Sequence, residues 1–367
     1  MTEEQQMLRD TAERYLRDNY DFNQRRESFR SGQPMSSVHW NAMAEMGWAA
    51  MPLAEDFGGL AFGMQECAVL AEQFGRFLVV EPLIDSSVIA GRLIQDAGRE
   101  QQPLLEQLAT GEAIVVVAHA EPDAAPSLMN TQAALRRTDA GLRLTGRKVF
   151  ASGGGAATHF LTTARLDDQF ACVLLDREVA GLQLATYQTH DGRSAANLEF
   201  DVALPASALI AAGPSAIEAF DDARCRAMLM ASAEAIGAME ASLNATVDYT
   251  KQRVQFGQTL SSFQVLQHRM SDMLIQLELT RSLVYAACRA YDEGAADARQ
   301  LTLAAKVKAS NAARRITQEA IQLHGGIATT DEYIVGHFFK RVTALESWIV
   351  SRDEALEEFI TVVDAAA

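Results

Sequence analysis

The order of apolar and polar positions changes twice along the chain. From Thr2 to about Gly111, apolar residues recur three and four positions apart, which is the period of amphipathic helices. From Ala113 to about Phe200, short segments rich in valine, threonine, leucine and phenylalanine alternate with turn residues, which is typical of strands. After Pro205 the helical period returns. The pattern predicts helices, then a β module of six or seven strands, then four helices.

Local signals make this prediction specific. The segment 62–78 has one apolar stripe that we expect to face a core, formed by Cys67, Leu70, Ala71, Phe74 and Leu78. The turn sequences that begin at Asp139 and Asp167 predict two hairpin loops. The last four helices are predicted near residues 217–252, 262–293, 300–324 and 331–361.

The predicted fold class is α+β with three domains. These are an N-terminal helical domain (1–112), a β-barrel or β-sandwich domain (113–213) and a C-terminal four-helix bundle (214–367).

Composition excludes several classes of partner. The net charge of -16 argues against nucleic acid and against anionic membranes, since both require basic surfaces. The chain has no run of about 18 uncharged apolar residues, so no transmembrane helix is predicted. Its acidic N-terminus predicts an amphipathic helix rather than a signal peptide. The four cysteines form no CxxC pair and the seven histidines no HExxH, so no metal site is expected and a reducing cytoplasm fits.

The first candidate site is the corner between the first two of these four helices, RVQFGQTLSSFQ. Phe256-Gly257 breaks the helical period, because glycine frees the backbone to turn. Arg253 offers a planar fork of donors that suits a phosphate or pyrophosphate, and Gln264 lies close by in sequence. An ordinary helix–turn–helix with one surface arginine remains the alternative.

The second candidate site is AIQLHGGIATTDEY, at the end of the third of these helices. Gly325-Gly326 is a usual way to end a helix, and a structural cap is one interpretation. The other is that two residues without Cβ let the backbone approach a ligand, with Gln322 and His324 beside it. His324 would then either touch that ligand or lie at a solvated helix end.

Taken together, these two segments resemble the acyl-CoA dehydrogenase family. The resemblance extends over nearly the whole chain, because PLAEDFGGL, GRKVFASGGG and LEFDVALPASALI are similar to further motifs of that family. It implies FAD as cofactor and an acyl-CoA as substrate. It also implies two groups of FAD contacts. Arg253, Phe256, Gln264, Gln322, Gly325 and Gly326 would contact the FAD of a neighbouring subunit, and Phe150 and Ser152 would lie at a flavin edge.

The family chemistry requires a carboxylate base, and the chain departs from the family there. The resemblance implies that a base removes the α-proton of the thioester while a hydride leaves the β-carbon for the flavin. The usual YEGT segment is absent from KRVTALESWIVSRDEALEEF, apparently by deletion, and the other usual Glu position holds Ala227. The family's TEPGAGSD loop, which closes over the flavin, is replaced by AEPDAAPSLMN from Ala120 to Asn130.

The parts that would serve a neighbour's flavin are therefore intact, whereas the parts that would serve the chain's own flavin are degraded. This asymmetry resembles the base-less small subunits of heterotetrameric acyl-CoA dehydrogenases of the pimeloyl-CoA and steroid side-chain type. It predicts an α2β2 assembly in which a larger homologous subunit supplies the base.

Two other hypotheses remain open. In one, the chain is a self-sufficient homo-oligomeric dehydrogenase with a relocated base, for which Glu346 is the best spare carboxylate. In the other, it is a flavin-dependent monooxygenase or oxidase on the same fold, which needs no such base.

Overall fold

The computed structural model describes residues 1–97, 101–122 and 130–366. The chain divides into two compact units. Unit 1 consists of Met1–Arg26, Gly63–Val79 and Ala227–Ala367, and unit 2 consists of Glu27–Phe62 and Val80–Arg226. Helices come first in the chain, a sheet follows and helices return, so the predicted α+β fold is confirmed. The domain boundaries after residues 112 and 213 stay predictions.

Before the sheet, the described residues form six α-helices. They are α1 (Glu3–Asn19), α2 (Phe22–Arg30), α3 (Ser37–Glu45), α4 (Met64–Phe77), α5 (Arg92–Ala97) and α6 (Gln102–Thr110). A 3-10 turn at Glu55–Phe57 and a π-helical segment at Ile84–Gly91 lie between them. Helix α1 begins at a capping box, in which the Thr2 hydroxyl accepts the Gln5 N–H and the Gln5 side chain accepts the Thr2 N–H. The predicted stripe on α4 is buried at all five positions.

Unit 2 contains an eight-stranded sheet within its described residues. The strands are β1 (Val115–Ala118), β2 (Ala134–Thr138), β3 (Gly141–Ser152), β4 (His159–Leu166), β5 (Gln169–Asp176), β6 (Leu182–Gln188), β7 (Ser194–Leu204) and β8 (Leu209–Ala212). Their order is β6-β7-β3-β2-β4-β5-β8, with β1 beside β4. Strands β1 and β2 run parallel to β4, and the other pairs are antiparallel. Both predicted hairpins are confirmed, since β2 pairs with β3 and β4 with β5 across two-residue loops.

After the sheet, residues 214–366 form five α-helices. They are α7 (Pro214–Gln252), α8 (Gln264–Asp292), α9 (Ala298–His324), α10 (Ile334–Ser347) and α11 (Arg352–Ala366). The prediction of one last helix over 331–361 was wrong, because residues 348–351 separate α10 from α11. The Val350 N–H bonds to the Trp348 carbonyl at 2.7 Å, and Ile349 between them has φ of 58°. This tight turn ends the helix, and residues 348–351 contain no glycine or proline that would have indicated it.

Within unit 1, α4 and α7 cross at two glycines. A Cβ on Gly237 would lie 1.8 Å from the Glu72 carbonyl oxygen, and a Cβ on Gly75 would lie 1.8 Å from the Glu234 carbonyl oxygen. Both glycines are therefore required by the close approach of two backbones. Helical periodicity does not reveal such an approach, because it depends on which helix lies opposite.

Gly237→Ala is expected to destabilise the chain by about 1–3 kcal/mol or more, because the added methyl group meets backbone that cannot rotate away. The thermal unfolding midpoint of the purified chain measures this effect. Gly326→Ala is the matched control, since a Cβ there meets nothing within 4 Å. Equal midpoints for the two variants would contradict the close crossing.

Candidate functional site

The first candidate segment forms a two-residue hairpin directly after α7. Strands β9 (Val254–Gln255) and β10 (Gln258–Thr259) pair antiparallel. The turn residues Phe256 and Gly257 both have positive φ, 53° and 81°, as in the type I′ turns that join tight hairpins. The Phe256 side chain is 91% exposed at the tip. The predicted break in the helical period is confirmed.

Arg253 and Gln264 flank this hairpin. Arg253 follows the last residue of α7, where its N–H bonds to the Tyr249 carbonyl at 2.9 Å and its carbonyl accepts the Leu260 N–H at 2.8 Å. Its exposed guanidinium makes no hydrogen bond or ion pair with any residue in the described part of the chain. Gln264 is the exposed first residue of α8. A cation, an aromatic ring and an amide are therefore exposed on the surface of unit 1 at the corner between α7 and α8.

The second candidate segment ends α9. Gln322 is exposed, and Gly325 has φ of 69° and ψ of -149°, a conformation open essentially only to glycine. A Cβ on Gly325 or Gly326 would meet nothing within 4 Å. Gly325 is therefore a helix cap by its conformation, and the backbone after it is also open to approach. The interpretation as a helix cap is confirmed, and the approach of a ligand stays a prediction.

His324 lies between these two segments and is neither solvated nor open to a ligand. Its side chain is buried, at 4% exposure. The imidazole packs against Tyr249, which lies one turn before Arg253, with ring centroids 4.5 Å apart. The hairpin after Arg253 and the turn at Gly325-Gly326, called the glycine turn below, are thus connected inside unit 1 by the contact between the His324 and Tyr249 rings.

Phe150 and Ser152 lie in unit 2, at the end of β3. Phe150 has φ of 54° and is 43% exposed, and the pairing of β3 with β7 shifts register between Lys148 and Ala151. The Phe150 N–H bonds to the Asn197 side chain at 3.0 Å. A β-bulge therefore turns the Phe150 ring outward, and Ser152 is half-buried beside it.

The usual base positions offer no available carboxylate in unit 1. Ala227 on α7 is fully buried. Two turns further, both Glu234 carboxylate oxygens accept hydrogen bonds from Arg341, at 2.6 and 2.8 Å. Glu346 on α10 forms an ion pair with Arg314 at 3.0 Å, and its side chain is 17% exposed.

Glu346 also lines a small cavity of about 10 Å³ between α7, α9 and α10. Lys306 lies in the same wall, and burial lowers the pKa of its amine to about 7 while Glu346 opposes the shift. The Lys306 amine donates to the Leu345 carbonyl at 2.6 Å. Since this cavity has room for about one water molecule, it cannot admit an acyl chain to Glu346.

The replaced loop from Ala120 to Asn130 lies partly outside the described residues, which omit 123–129. Its described base carries a buried ion pair that the sequence analysis missed. The Lys148 amine donates to the Glu121 carboxylate at 2.6 Å and to the Thr163 hydroxyl at 2.9 Å, and burial lowers the pKa of Lys148 to about 8. Lys148 continues the inward alternation of Leu142, Leu144 and Gly146. Because lysine is almost never fully buried unless it is paired, its inward strand position in the sequence could have indicated a buried ion pair.

Over the ranges 1–97, 101–122 and 130–366, no cluster of three or more histidine, cysteine or acidic side chains could hold a metal ion. None of the helices in these ranges is long and apolar enough to cross a membrane.

Comparison with known proteins identifies the family to which this chain belongs. Residues 2–112 match the N-terminal domain of acyl-CoA dehydrogenases, and residues 213–348 match their C-terminal domain. The acyl-CoA dehydrogenase IpdE2 of Mycobacterium tuberculosis strain H37Rv is 30% identical over 355 residues, which cover 96% of this chain and 95% of that protein. The chain therefore belongs to the acyl-CoA dehydrogenase family, as the two motifs predicted.

Solved structures agree with this assignment. A variant of the Tcur3481-Tcur3483 steroid ACAD superposes with a TM-score of 0.87 and 26% identity, over 100% of this chain and 99% of that chain. PigA with FAD and proline superposes with a TM-score of 0.91 over 100% of this chain and 99% of that chain, and at 24% identity it shows the same fold.

Proposed function

We propose that the chain is the base-less subunit of a hetero-oligomeric, FAD-dependent acyl-CoA dehydrogenase. It lends FAD contacts to a larger homologous subunit, which supplies the base. One observation carries the proposal: Arg253, Phe256, Gln264 and Gln322 are all exposed on unit 1, while the base position on α7 holds the buried Ala227. The chain thus offers cofactor contacts without an acid–base group of its own.

The exposed side chains fit FAD in their chemistry. The pyrophosphate is anionic, and Arg253 carries a charge that no described residue neutralises. The adenine is planar, and the Phe256 ring is 91% exposed at the tip of a two-residue turn. The open backbone at Gly325 and Gly326 admits close approach of the same ligand. A large apolar ring beside an unpaired guanidinium is the kind of surface that a ligand or partner covers.

The carboxylates of unit 1 explain why a partner is needed. FAD, when bound, supplies the hydride acceptor for oxidation of an acyl thioester. The α-proton must leave to a positioned base, and Ala227 provides none. Arg341 engages both oxygens of Glu234, and Arg314 binds Glu346 beside a cavity too small for substrate. We therefore assign proton abstraction to the partner and FAD retention to this chain.

Two further findings support the proposal. The solved structure that is 26% identical to this chain is described as a Tcur3481-Tcur3483 steroid ACAD, a name that joins two proteins. The four cysteines are buried and form no disulfide in the described part of the chain, which fits a reducing compartment, and we propose that the protein is cytoplasmic. Phe150 and Ser152 are proposed to lie at a flavin edge, as the family resemblance implies.

The test is purification of the chain alone and together with a co-expressed homologous acyl-CoA dehydrogenase. We expect the chain alone to be colourless and inactive, and the larger complex to be yellow and to oxidise an acyl-CoA. Visible absorption, native mass and electron-acceptor reduction measure these properties. Glu346→Gln in the complex is expected to leave the rate unchanged.

Tightly held flavin and dehydrogenase activity in the single chain would contradict the proposal. Loss of that activity in Glu346→Gln would then assign the base to Glu346. Oxygen consumption with reduced flavin, instead of desaturation, would favour a monooxygenase or oxidase.

A further inference from the structure

Three aromatic rings lie in contact in unit 1, and the middle one is buried while the outer two are half-buried. The His324 imidazole lies between Tyr249, at a centroid distance of 4.5 Å and an interplanar angle of 31°, and Tyr333, at 5.1 Å and 54°. His324 is 4% exposed. Its Nδ1 lies 2.7 Å from the Ala320 carbonyl oxygen. Because a carbonyl can only accept, Nδ1 carries the proton and donates this bond.

The stack connects three pieces of chain that are far apart in sequence. Tyr249 belongs to the last turn of α7, and its carbonyl accepts the Arg253 N–H at 2.9 Å. His324 is the last residue of α9, two positions after Gln322 and directly before Gly325. Tyr333 directly precedes α10. These ring contacts therefore connect the base of the exposed hairpin to the start of the glycine turn.

Each exposed segment has a contact near its base, since Phe256 lies against Phe263 with ring centroids 6.4 Å apart and Ala328 after the two glycines is fully buried, but the tips themselves are open. Phe256 and Gly257 form the free tip of a hairpin with two residues in each strand. At the glycine turn, a Cβ on Gly325 or Gly326 would meet no neighbouring atom within 4 Å. Short hairpins are only marginally stable by themselves. The relative position of the two segments therefore depends in part on the helix ends that carry them, and the ring contacts of His324 join those ends.

The imidazole is suited to this position in its neutral form. Burial lowers the pKa of His324, against the carbonyls of Ala320 and Ala245, which favour the proton. A neutral ring stacks on Tyr249 without placing a charge among buried groups, and its Nδ1–H satisfies the Ala320 carbonyl near the end of α9.

We propose that His324 is a positioning residue for the shared cofactor site. It holds the Arg253 hairpin and the Gln322–Gly326 turn at the separation that one dinucleotide, FAD, requires of both. This inference rests on the proposed function, since it assigns a role in the same site. His324 does not touch the cofactor; it acts through the two segments that do.

The experiment is a double-mutant cycle in the co-purified complex, with FAD dissociation followed by flavin fluorescence. We expect His324→Ala to raise the FAD dissociation constant roughly tenfold, in line with the loss of aromatic contacts that fix a site. His324→Phe keeps the stack and is expected to stay within about threefold of the unaltered complex. In an Arg253→Ala background, His324→Ala should add less than about threefold, because the hairpin has already lost the contact that His324 positions.

Tyr285→Phe is the matched control for general destabilisation of unit 1. It removes a hydrogen bond of 3.0 Å to Glu72, away from both segments. It should lower the thermal unfolding midpoint and leave FAD dissociation unchanged.

The outcomes separate the two proposals. If Arg253→Ala does not change FAD dissociation, the proposed shared site is wrong. If Arg253→Ala weakens FAD binding but His324→Ala does not, only the positioning role is overturned. Full additivity of the two substitutions, or failure of His324→Phe to restore binding, also contradicts the positioning role.

Discussion

Arg253→Ala is expected to weaken FAD retention by the assembled complex roughly 10- to 150-fold, the loss that corresponds to one charge-assisted hydrogen-bonded contact of about 1.5–3 kcal/mol. The expectation follows from the place of the side chain. It leaves the chain at the exposed end of α7 and makes no ion pair within the described residues. A pyrophosphate is the natural counter-charge for a planar guanidinium in that position.

The same geometry predicts that the subunit itself remains folded. Only backbone atoms of Arg253 close the hairpin, through the Tyr249 carbonyl and the Leu260 N–H. Alanine preserves both bonds, so the thermal unfolding midpoint of the isolated chain should not change. The effect should therefore appear in flavin content after gel filtration and in the FAD dissociation constant of the complex.

Two variants serve as controls for this prediction. Arg253→Lys retains the charge but loses the fork of donors, and an intermediate loss of FAD is expected. Lys251→Ala removes an exposed charge two residues earlier, and flavin content should stay at its original level. Unaltered flavin content in Arg253→Ala, or an equal loss in Lys251→Ala, would contradict a specific contact at Arg253.

The exposed parts of the candidate site were predictable because their signals are local. Gly257 and Gly325 occupy backbone conformations with positive φ, and the sequence places glycine there. The helical period stops on either side of them, so the corner after α7 and the end of α9 follow from periodicity alone. The Asp139 and Asp167 hairpins were predictable for the same reason.

The parts that the sequence did not predict depend on distant partners. His324 is buried because Tyr249 and Tyr333 lie on either side of it, and those contacts join positions far apart in the chain. Lys148 pairs with Glu121, which lies 27 residues earlier in the chain. The break between α10 and α11 contains neither glycine nor proline, and Ile349 adopts positive φ at a cost that its surroundings must offset. No spacing rule indicates these features.

Glu234→Ala and Arg341→Ala are each expected to destabilise the chain by about 3–5 kcal/mol, because each leaves a buried charge without its partner. The pair joins α7 to α10 through two hydrogen bonds of 2.6 and 2.8 Å, and the side chains are 0% and 5% exposed. Lys306 increases the effect of losing the carboxylate. Its pKa is already lowered, mainly by burial and also by the charge of Arg341.

Differential scanning calorimetry of the single and double variants measures this coupling. Glu234→Leu/Arg341→Met removes both charges and keeps apolar volume, so it should be more stable than either alanine variant. Single variants with an unaltered unfolding midpoint would show that water or another group satisfies the remaining charge. If the prediction holds, Glu234 is committed to the fold of the bundle. This carboxylate is then excluded as a base, which agrees with the proposed assignment of that role to a partner subunit.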